Sequence, residues 1–203
     1  MKVIKHVFYP MDQNTYIVAD DSKNCVIIDL GGDFSQIESI LSANGLTPLA
    51  VIFTHGHFDH ILGAKSAADR NIPLYVSEED RHMLLSQKDC LATLAGFKYT
   101  PVTDCLTLEE GTVTFGDMTF EVVKTPGHTK GSVTLITGEY MFTGDTLFHL
   151  SVGRTDLPGG DREELKTSIN RLIGRDFNYK VLPGHGEDST LDFEKRFNPY
   201  VSR

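Results

Sequence analysis

The chain has 203 residues, 40% of them hydrophobic, which is enough to bury a substantial core within a single domain spanning 1–203. Its 28 acidic and 19 basic residues give a formal charge of −9, with the two signs intermixed and no Lys/Arg block to follow a phosphate backbone, so nucleic acid is excluded as an expected partner. No apolar run approaches the ~18 residues that cross a bilayer, and the amino-terminal MKVIKHVFYPMDQN is broken by Lys5, His6 and Pro10, which predicts a soluble, unexported protein without a membrane partner. Read from the amino terminus, NTYIVAD (14–20) and CVIIDL (25–30) have strand character, followed by a helical pattern over 34–44. LAVIFT (49–54) is the next strand, and helical patterns follow over 61–70 and 78–87. FGD at 115–117 reads as a hairpin turn leading into FEVVKT (120–125), with VTLIT (133–137) and YMFTG (140–144) beyond it. A helix over 161–174 opens with DREEL, where Asp161 caps and Glu164 reaches back to the cap position. The last strand is YKVLPG (179–184). Near-continuous apolar strands need cover on both faces, so the pattern predicts a layered α/β domain with sheet at its centre, although strand order is not legible from it.

Cys25, Cys90 and Cys105 are odd in number, widely spaced and free of any C-x-x-C pair, which reads as plain thiols in a reducing cytoplasm. The eight histidines are distributed less evenly. Five follow strand-like runs: His55, His57 and His60 after LAVIFT, His128 in VVKTPGHT, and His185 in KVLPGHG. Asp145 arrives in the same way after YMFTG. Glycine allows a tight turn at the strand end and proline stiffens the approach, so each run delivers a ligand-type side chain from a rigid element to one edge. On a straight strand His55, His57 and Asp59 would share a face yet span ~13 Å at ~3.3 Å per residue, with His60 pointing away. A bend at Gly56 gathers them. The set of His55, His57, Asp59, His60, His128, Asp145 and His185 then exceeds what one tetrahedral zinc takes, whereas two ions sharing one carboxylate use it fully. His6, His82 and His149 lie outside the pattern and read as structural or solvated.

The turn His55 to His60, with TPGHTKGS (125–132), FTGDTLF (142–148) and LPGHG (182–186), resembles the metallo-β-lactamase superfamily. The resemblance covers most of the chain and implies an αββα sandwich: two facing mixed β-sheets with outer helices and a metal site at one sheet edge. It implies that His55, His57 and His128 hold one ion, that Asp59, His60 and His185 hold the other, and that Asp145 lies between them. The ions expected are two divalent metals, zinc first, with iron or manganese as alternatives. Within the superfamily GDTLFHLSVGRTDLPGGD is most similar to the glyoxalase II (hydroxyacylglutathione hydrolase) branch and its shorter relatives. After His185 there is no room before Arg203 for that branch's carboxy-terminal helical domain, and the family's glutathione-contacting lysine aligns with Arg154.

The implied activity is hydrolysis of a small acyl thioester through a hydroxide bridging the ions, with Asp59 orienting or accepting a proton from the attacking water. The sequence offers no separate general acid, which favours a thiolate leaving group of parent pKa about 8.5 over an amine or alkoxide. Arg154 can receive a substrate carboxylate in two contacts, or can pair with Asp156 or Asp161 to pin its loop. GGD at 159–161 lacks the Lys-Ser/Thr ending of a phosphate cradle and shapes a loop. The strongest rival is a persulfide dioxygenase using His55, His128 and Asp145 on a single iron. A nuclease of the same superfamily would want an added binding domain and a basic surface. A non-catalytic metal module is the last alternative.

Overall fold

The apolar runs assemble into two six-stranded sheets whose faces meet, in a computed structural model that describes residues 1–201. In the first sheet spatial order follows chain order: β1 (Lys2–Phe8), β2 (Gln13–Ala19), β3 (Asn24–Ile28), β4 (Thr47–Ile52), β5 (Leu74–Val76) and β6 (Leu106–Thr107). The pairings of β1 with β2 and of β2 with β3 are antiparallel, and those from β3 through β6 are parallel. Of the remaining strands, β7 (Gly111–Phe115), β8 (Met118–Lys124), β9 (Val133–Thr137) and β10 (Tyr140–Gly144) precede a small ribbon, β11 (Leu147–Phe148) with β12 (Ser151–Val152). They are followed by β13 (Lys180–Pro183) and β14 (Ser189–Thr190), and the second sheet is ordered β14, β13, β10, β9, β8, β7.

Period-two alternation sorts the strand side chains between two sides of each sheet. Val18, Val26, Ile28 and Ile52 face Phe120, Leu135 and Phe142 across the gap between the sheets. The alternate residues Ile17, Ile27 and Val51 pack on the other side with Ile37 and Leu41 of α1 (Ser35–Asn44). Met141 and Val181 of the second sheet are covered by Leu172 of α6 (Arg162–Ile173) and Leu191 of α7 (Leu191–Phe197). This is the αββα layering the resemblance implies. It explains why β2 and β9 are buried along their whole length. The short helices are α2 (Phe58–Ile61), α3 (Ala64–Ala68), α4 (Arg81–Leu84) and α5 (Ala92–Ala95), and the longer carboxy-terminal ones are α6 (Arg162–Ile173) and α7 (Leu191–Phe197). None among the described residues is long and apolar enough to cross a membrane.

Three local readings are corrected. The helix expected over 61–70 is two pieces, α2 and α3, separated around Gly63, where an added Cβ would meet the Gly32 carbonyl at 2.2 Å. The pattern over 78–87 contracts to a 3-10 turn at Glu78–Asp80 and the single turn of α4. Asp161 does cap α6, accepting the Glu163 and Glu164 N–H groups, but its own N–H donates to the Gly127 carbonyl at 2.8 Å and is not available to Glu164. β1 escaped detection because its apolar residues are interleaved with Lys5 and His6, and β5 because three residues carry too little periodicity.

The metal-type residues all follow strand ends. The Thr54 carbonyl beyond β4 accepts the Val133 N–H of β9 at 2.8 Å, tying the two sheets together beside the histidine turn. On the other flank the Asn14 N–H of β2 donates to the Gly184 carbonyl at 2.7 Å.

Candidate metal centre

β4 ends at Ile52, and α2 begins only six residues later, so the chain reverses from extended to helical within the turn that holds the ligands. His57 is still extended, at φ −69° and ψ 146°, while Asp59 and His60 already lie in the helical turn. The gathering bend therefore comes from helix entry at His57 as much as from Gly56. Gly56 is required for another reason: a Cβ there would stand 2.6 Å from Met83 Cβ, and its N–H donates to the Asp80 carboxylate at 2.9 Å.

The structure brings all seven expected residues together. Ligand-type atoms of His55, His57 and His128 lie within 4.8 Å of one another, as do those of Asp59, His60 and His185. Asp145 stands between the two groups, 3.3 Å from His60 Nε2, 3.5 Å from His128 Nε2 and 3.8 Å from His185 Nε2. Gly184 makes room for it, since a Cβ at that position would come within 2.3 Å of Asp145 Oδ1.

Acceptor-only partners fix the tautomers. His60 Nδ1–H donates to Asp29 at 2.8 Å, His128 Nδ1–H to the Arg154 carbonyl at 2.8 Å, and His185 Nδ1–H to the Met11 carbonyl at 3.0 Å. Thr54 spends its hydroxyl proton on Asp29, so His55 Nδ1–H donates to Thr54 Oγ1 at 3.2 Å. In neutral His55, His60, His128 and His185 the lone pair is thus left on Nε2, aimed inward. His60 Nε2 faces His185 Nε2 at 3.2 Å, and His57 Nδ1 faces His128 Nε2 at 2.9 Å. Nitrogens bound to one tetrahedral zinc at about 2.05 Å sit about 3.3 Å apart, close to both separations. His55 Nε2 and Asp145 Oδ1 are buried without any hydrogen-bond partner among the described residues, as expected of atoms reserved for a cation. The donor set fits two divalent ions.

The electrostatics differ across the site. Burial, reinforced by His60, holds the His55 pKa well below the usual imidazole range, and burial with His128 brings His57 down to about 3. His60 shows the reverse. Burial opposes its proton, but Asp145, Asp29 and Asp59 together hold its pKa well above the ordinary value. His185 is raised too: burial is outweighed by the hydrogen bond it donates to Asp59 and by Asp145. Burial disfavours charge on Asp59 and Asp145, yet His60 leads the neighbouring imidazoles in keeping both carboxylates below their usual pKa.

Two residues the sequence reading missed hold this arrangement. Asp29, at φ 55°, accepts His60 Nδ1–H, the Thr54 hydroxyl at 2.8 Å and the Thr54 N–H at 2.7 Å. Its signal was present as the acidic residue closing the apolar run CVIIDL. Asp80, fully buried, accepts the Gly56 N–H, the Gly131 N–H at 2.9 Å and the Thr129 hydroxyl at 2.6 Å, joining the 54–60 turn to the 125–132 loop. Nothing in SEED distinguishes it from a solvated helix start.

Arg154 stands outside the ligand groups. Its Nε and one terminal nitrogen each donate to Asp156 at 2.7 Å, so the fork expected to meet a substrate carboxylate is already closed on its neighbour. The loop-pinning alternative matches that geometry, and the residue's link to the metal centre is its carbonyl, through His128. His6 packs edge-on against Phe8, His82 Nδ1–H donates to the Glu79 carbonyl, and His149 pairs with Glu187 at 3.3 Å. None of these three belongs to a ligand group among the described residues.

The sequence profile described as the metallo-beta-lactamase superfamily matches residues 8–185. Among relatives in sequence, the probable metallo-hydrolase YqgX of Bacillus subtilis is 34% identical, over 95% of this chain and 94% of its own. The hydroxyacylglutathione hydrolase GloC of Haemophilus influenzae is 33% identical, over 94% and 93%. Among solved structures, BLEG-1 B3 metallo-beta-lactamase superposes with a TM-score of 0.93 at 36% identity, covering 100% of both chains. TTHA1623 in a di-iron-bound form gives 0.89 at 35%, covering 98% and 100%, and ETHE1 from Myxococcus xanthus gives 0.77 at 26%, covering 98% and 84%.

Proposed function

This chain belongs to the metallo-beta-lactamase superfamily, and from that premise we propose that it is a dinuclear metal-dependent hydrolase of small acyl thioesters. The observation that carries the reading is the meeting of two complete three-residue groups at one shared carboxylate, Asp145, with His55 Nε2 and Asp145 Oδ1 buried and without a hydrogen-bond partner among the described residues. His55, His57 and His128 would hold one ion, Asp59, His60 and His185 the other, and Asp145 would touch both. Ions bound there supply Lewis acidity, polarising an acyl carbonyl and bringing a water's pKa toward neutral. We assign zinc to the site, and iron is its nearest competitor given the di-iron-bound neighbour.

The protein's own groups do the remaining work. Asp59 is kept ionised by His60 and His185, so it accepts a hydrogen bond from the attacking water and orients it. As oxygen adds to the acyl carbon the carbon–sulfur bond breaks, giving a carboxylic acid and a thiol. His60, His128 and His185 each have the outer nitrogen anchored to protein oxygen, so the site does not reorganise as charge moves. A thiolate departs without a proton, which suits a centre lacking a dedicated acid. The name of the Haemophilus relative supports the thioester class. Three free, buried thiols agree with a reducing cytoplasm as the setting, and a small molecule, not nucleic acid, is the proposed partner.

The test is elemental analysis of protein purified without added metal, with S-lactoylglutathione hydrolysis, cephalosporin hydrolysis and oxygen uptake on glutathione persulfide measured side by side. Two ions per chain and chelator-sensitive thioester cleavage are expected. One iron per chain with oxygen uptake, or lactam cleavage without thioester cleavage, overturns the reading.

A further inference from the structure

Glu194 lies on α7 with no exposed surface, a carboxylate that the metal centre does not use. A charge removed from water is held by its hydrogen bonds, and the donors that meet this one are uncharged. One oxygen accepts the Ser189 hydroxyl; the other accepts the Leu150 N–H at 3.0 Å and the Asn198 side-chain amide at 2.8 Å. Asn198, itself buried just past the end of α7, also donates from its amide to the Ser151 carbonyl at 3.0 Å. Both side chains therefore reach from the helix to one target, the ribbon of β11 and β12. A leucine at position 194 would fill the same space without desolvating a charge, so the carboxylate is explained by what it holds.

That ribbon needs holding. Phe148 pairs with Ser151, so His149 and Leu150 alone make the reversal, and Leu150 stands at φ 56°, where a β-carbon is crowded and glycine or asparagine is favoured. A second contact from the same helix is the Phe193 ring, 5.2 Å from the His149 ring. The ribbon is also fastened to the metal centre. It begins two residues after Asp145, and its return arm passes over that residue, for a Cβ on Gly153 would collide with the Asp145 carbonyl. The side chain it presents is Phe148, half-buried, whose ring stands edge-on to the His185 imidazole with centroids 6.4 Å apart. His185 is the most exposed of the five ligand-type histidines, so Phe148 borders the open side of the group Asp59, His60 and His185.

We propose that Phe148 is a wall on which substrate packs at the Asp59, His60 and His185 side, and that Glu194 and Asn198 are positioning residues acting through it. The assignment rests on the hydrolase reading above and adds a specificity surface to it. A phenyl ring recognises apolar or flat carbon in preference to charge, so the substrate selected carries an apolar or aromatic group next to the bond that is cleaved. The helix contributes by keeping the wall in one place, which spares the substrate the ordering of a loop when it binds.

The chain contains no tryptophan, so Phe148→Trp places a single fluorophore on the ribbon of the metal-loaded protein. Acrylamide should quench it about twofold more steeply once Glu194→Ala, Glu194→Leu or Asn198→Ala is added. Glu194→Gln, which keeps an acceptor for the Leu150 N–H, and Lys166→Ala on α6 should leave quenching unchanged. Thermal melting followed by circular dichroism identifies any unfolded variant, and Glu194→Leu, which exchanges a buried charge for apolar volume, serves if the alanine variant does not fold. With Phe148 in place, Glu194→Leu and Asn198→Ala should raise KM for a phenylacetyl thioester about fivefold while kcat changes less than about twofold, as should Phe148→Ala alone. Because the helix acts through Phe148, adding Glu194→Leu to Phe148→Ala should raise KM by less than about 1.5-fold more. Unchanged quenching in every folded α7 variant, or full additivity in that double variant, overturns the positioning role. Equal KM for apolar and small groups, compared on the acyl side and on the thiol side, overturns the wall. Steeper quenching in the α7 variants of a protein without thioester turnover upholds the hold of α7 on the ribbon and defeats the hydrolase reading; turnover with unchanged quenching does the opposite.

Discussion

The two ligand groups use similar side chains but are prepared in opposite ways. His55, His57 and His128 form an all-imidazole set, buried throughout, in which burial strips His55 and His57 of any tendency to protonate. Asp59, His60 and His185 form a mixed set within reach of Asp145 and Asp29, where surrounding carboxylate charge outweighs burial and raises His60 and His185. His55 and His57 present neutral lone pairs; His60 and His185 favour protons that a cation must displace. The lesson is that ligand identity alone does not set a site's charge state: the count of carboxylates around each imidazole does.

The largest break in this comparison is Asp145→Ala, which removes the group shared by both sides. It should lower kcat/KM for a thioester by more than about 100-fold and lose at least one ion per chain by elemental analysis. A smaller and selective break comes from the outer carboxylates. Asp29→Ala frees His60 and should weaken one ion about 10- to 100-fold while sparing the other. Asp80→Ala strands two N–H groups and a hydroxyl under the first group, costing about 3 kcal/mol of folding stability by denaturant titration as well as loosening the His57 side. Equal loss of both ions in each variant would show that the two groups are not separable.

Acidification sharpens the same contrast. His60 and His185 have raised pKa values, so on lowering pH they regain protons first, and proton and metal compete there while His55 and His57 remain neutral. Metal retention followed from pH 8 downward should therefore show the ion at Asp59, His60 and His185 leaving before the other, with binding at that group releasing more protons on loading. Simultaneous release would contradict the assignment. Smallest of all, Arg154→Ala should change kcat/KM less than about twofold, because its exposed pair with Asp156 is solvent-screened and its carbonyl remains to hold His128.

Much of the centre was legible in the chain because its signals are local. H-x-H-x-D-H, the two G-H turns and the Asp145 turn each follow a strand, and a strand that ends in glycine or proline must release its next residues at an edge. The strands carrying them were found, as was the cap at Asp161. Asp29 and Asp80 were not, since their function consists of contacts to residues 24 to 51 positions away. Arg154 was read as equally able to bind a substrate or a neighbour, and a partner two residues away took its fork.

By itself the sequence determined which side chains form the candidate centre, for residue type and spacing are properties of the chain, and it determined that they lie at strand ends, because periodicity and turn residues act over a few positions. Strand order, the division of six ligand-type groups around Asp145 and their protonation were decided only by the tertiary structure. Burial and charge act through space, and a pattern along a strand does not state which distant carboxylate will stand beside it.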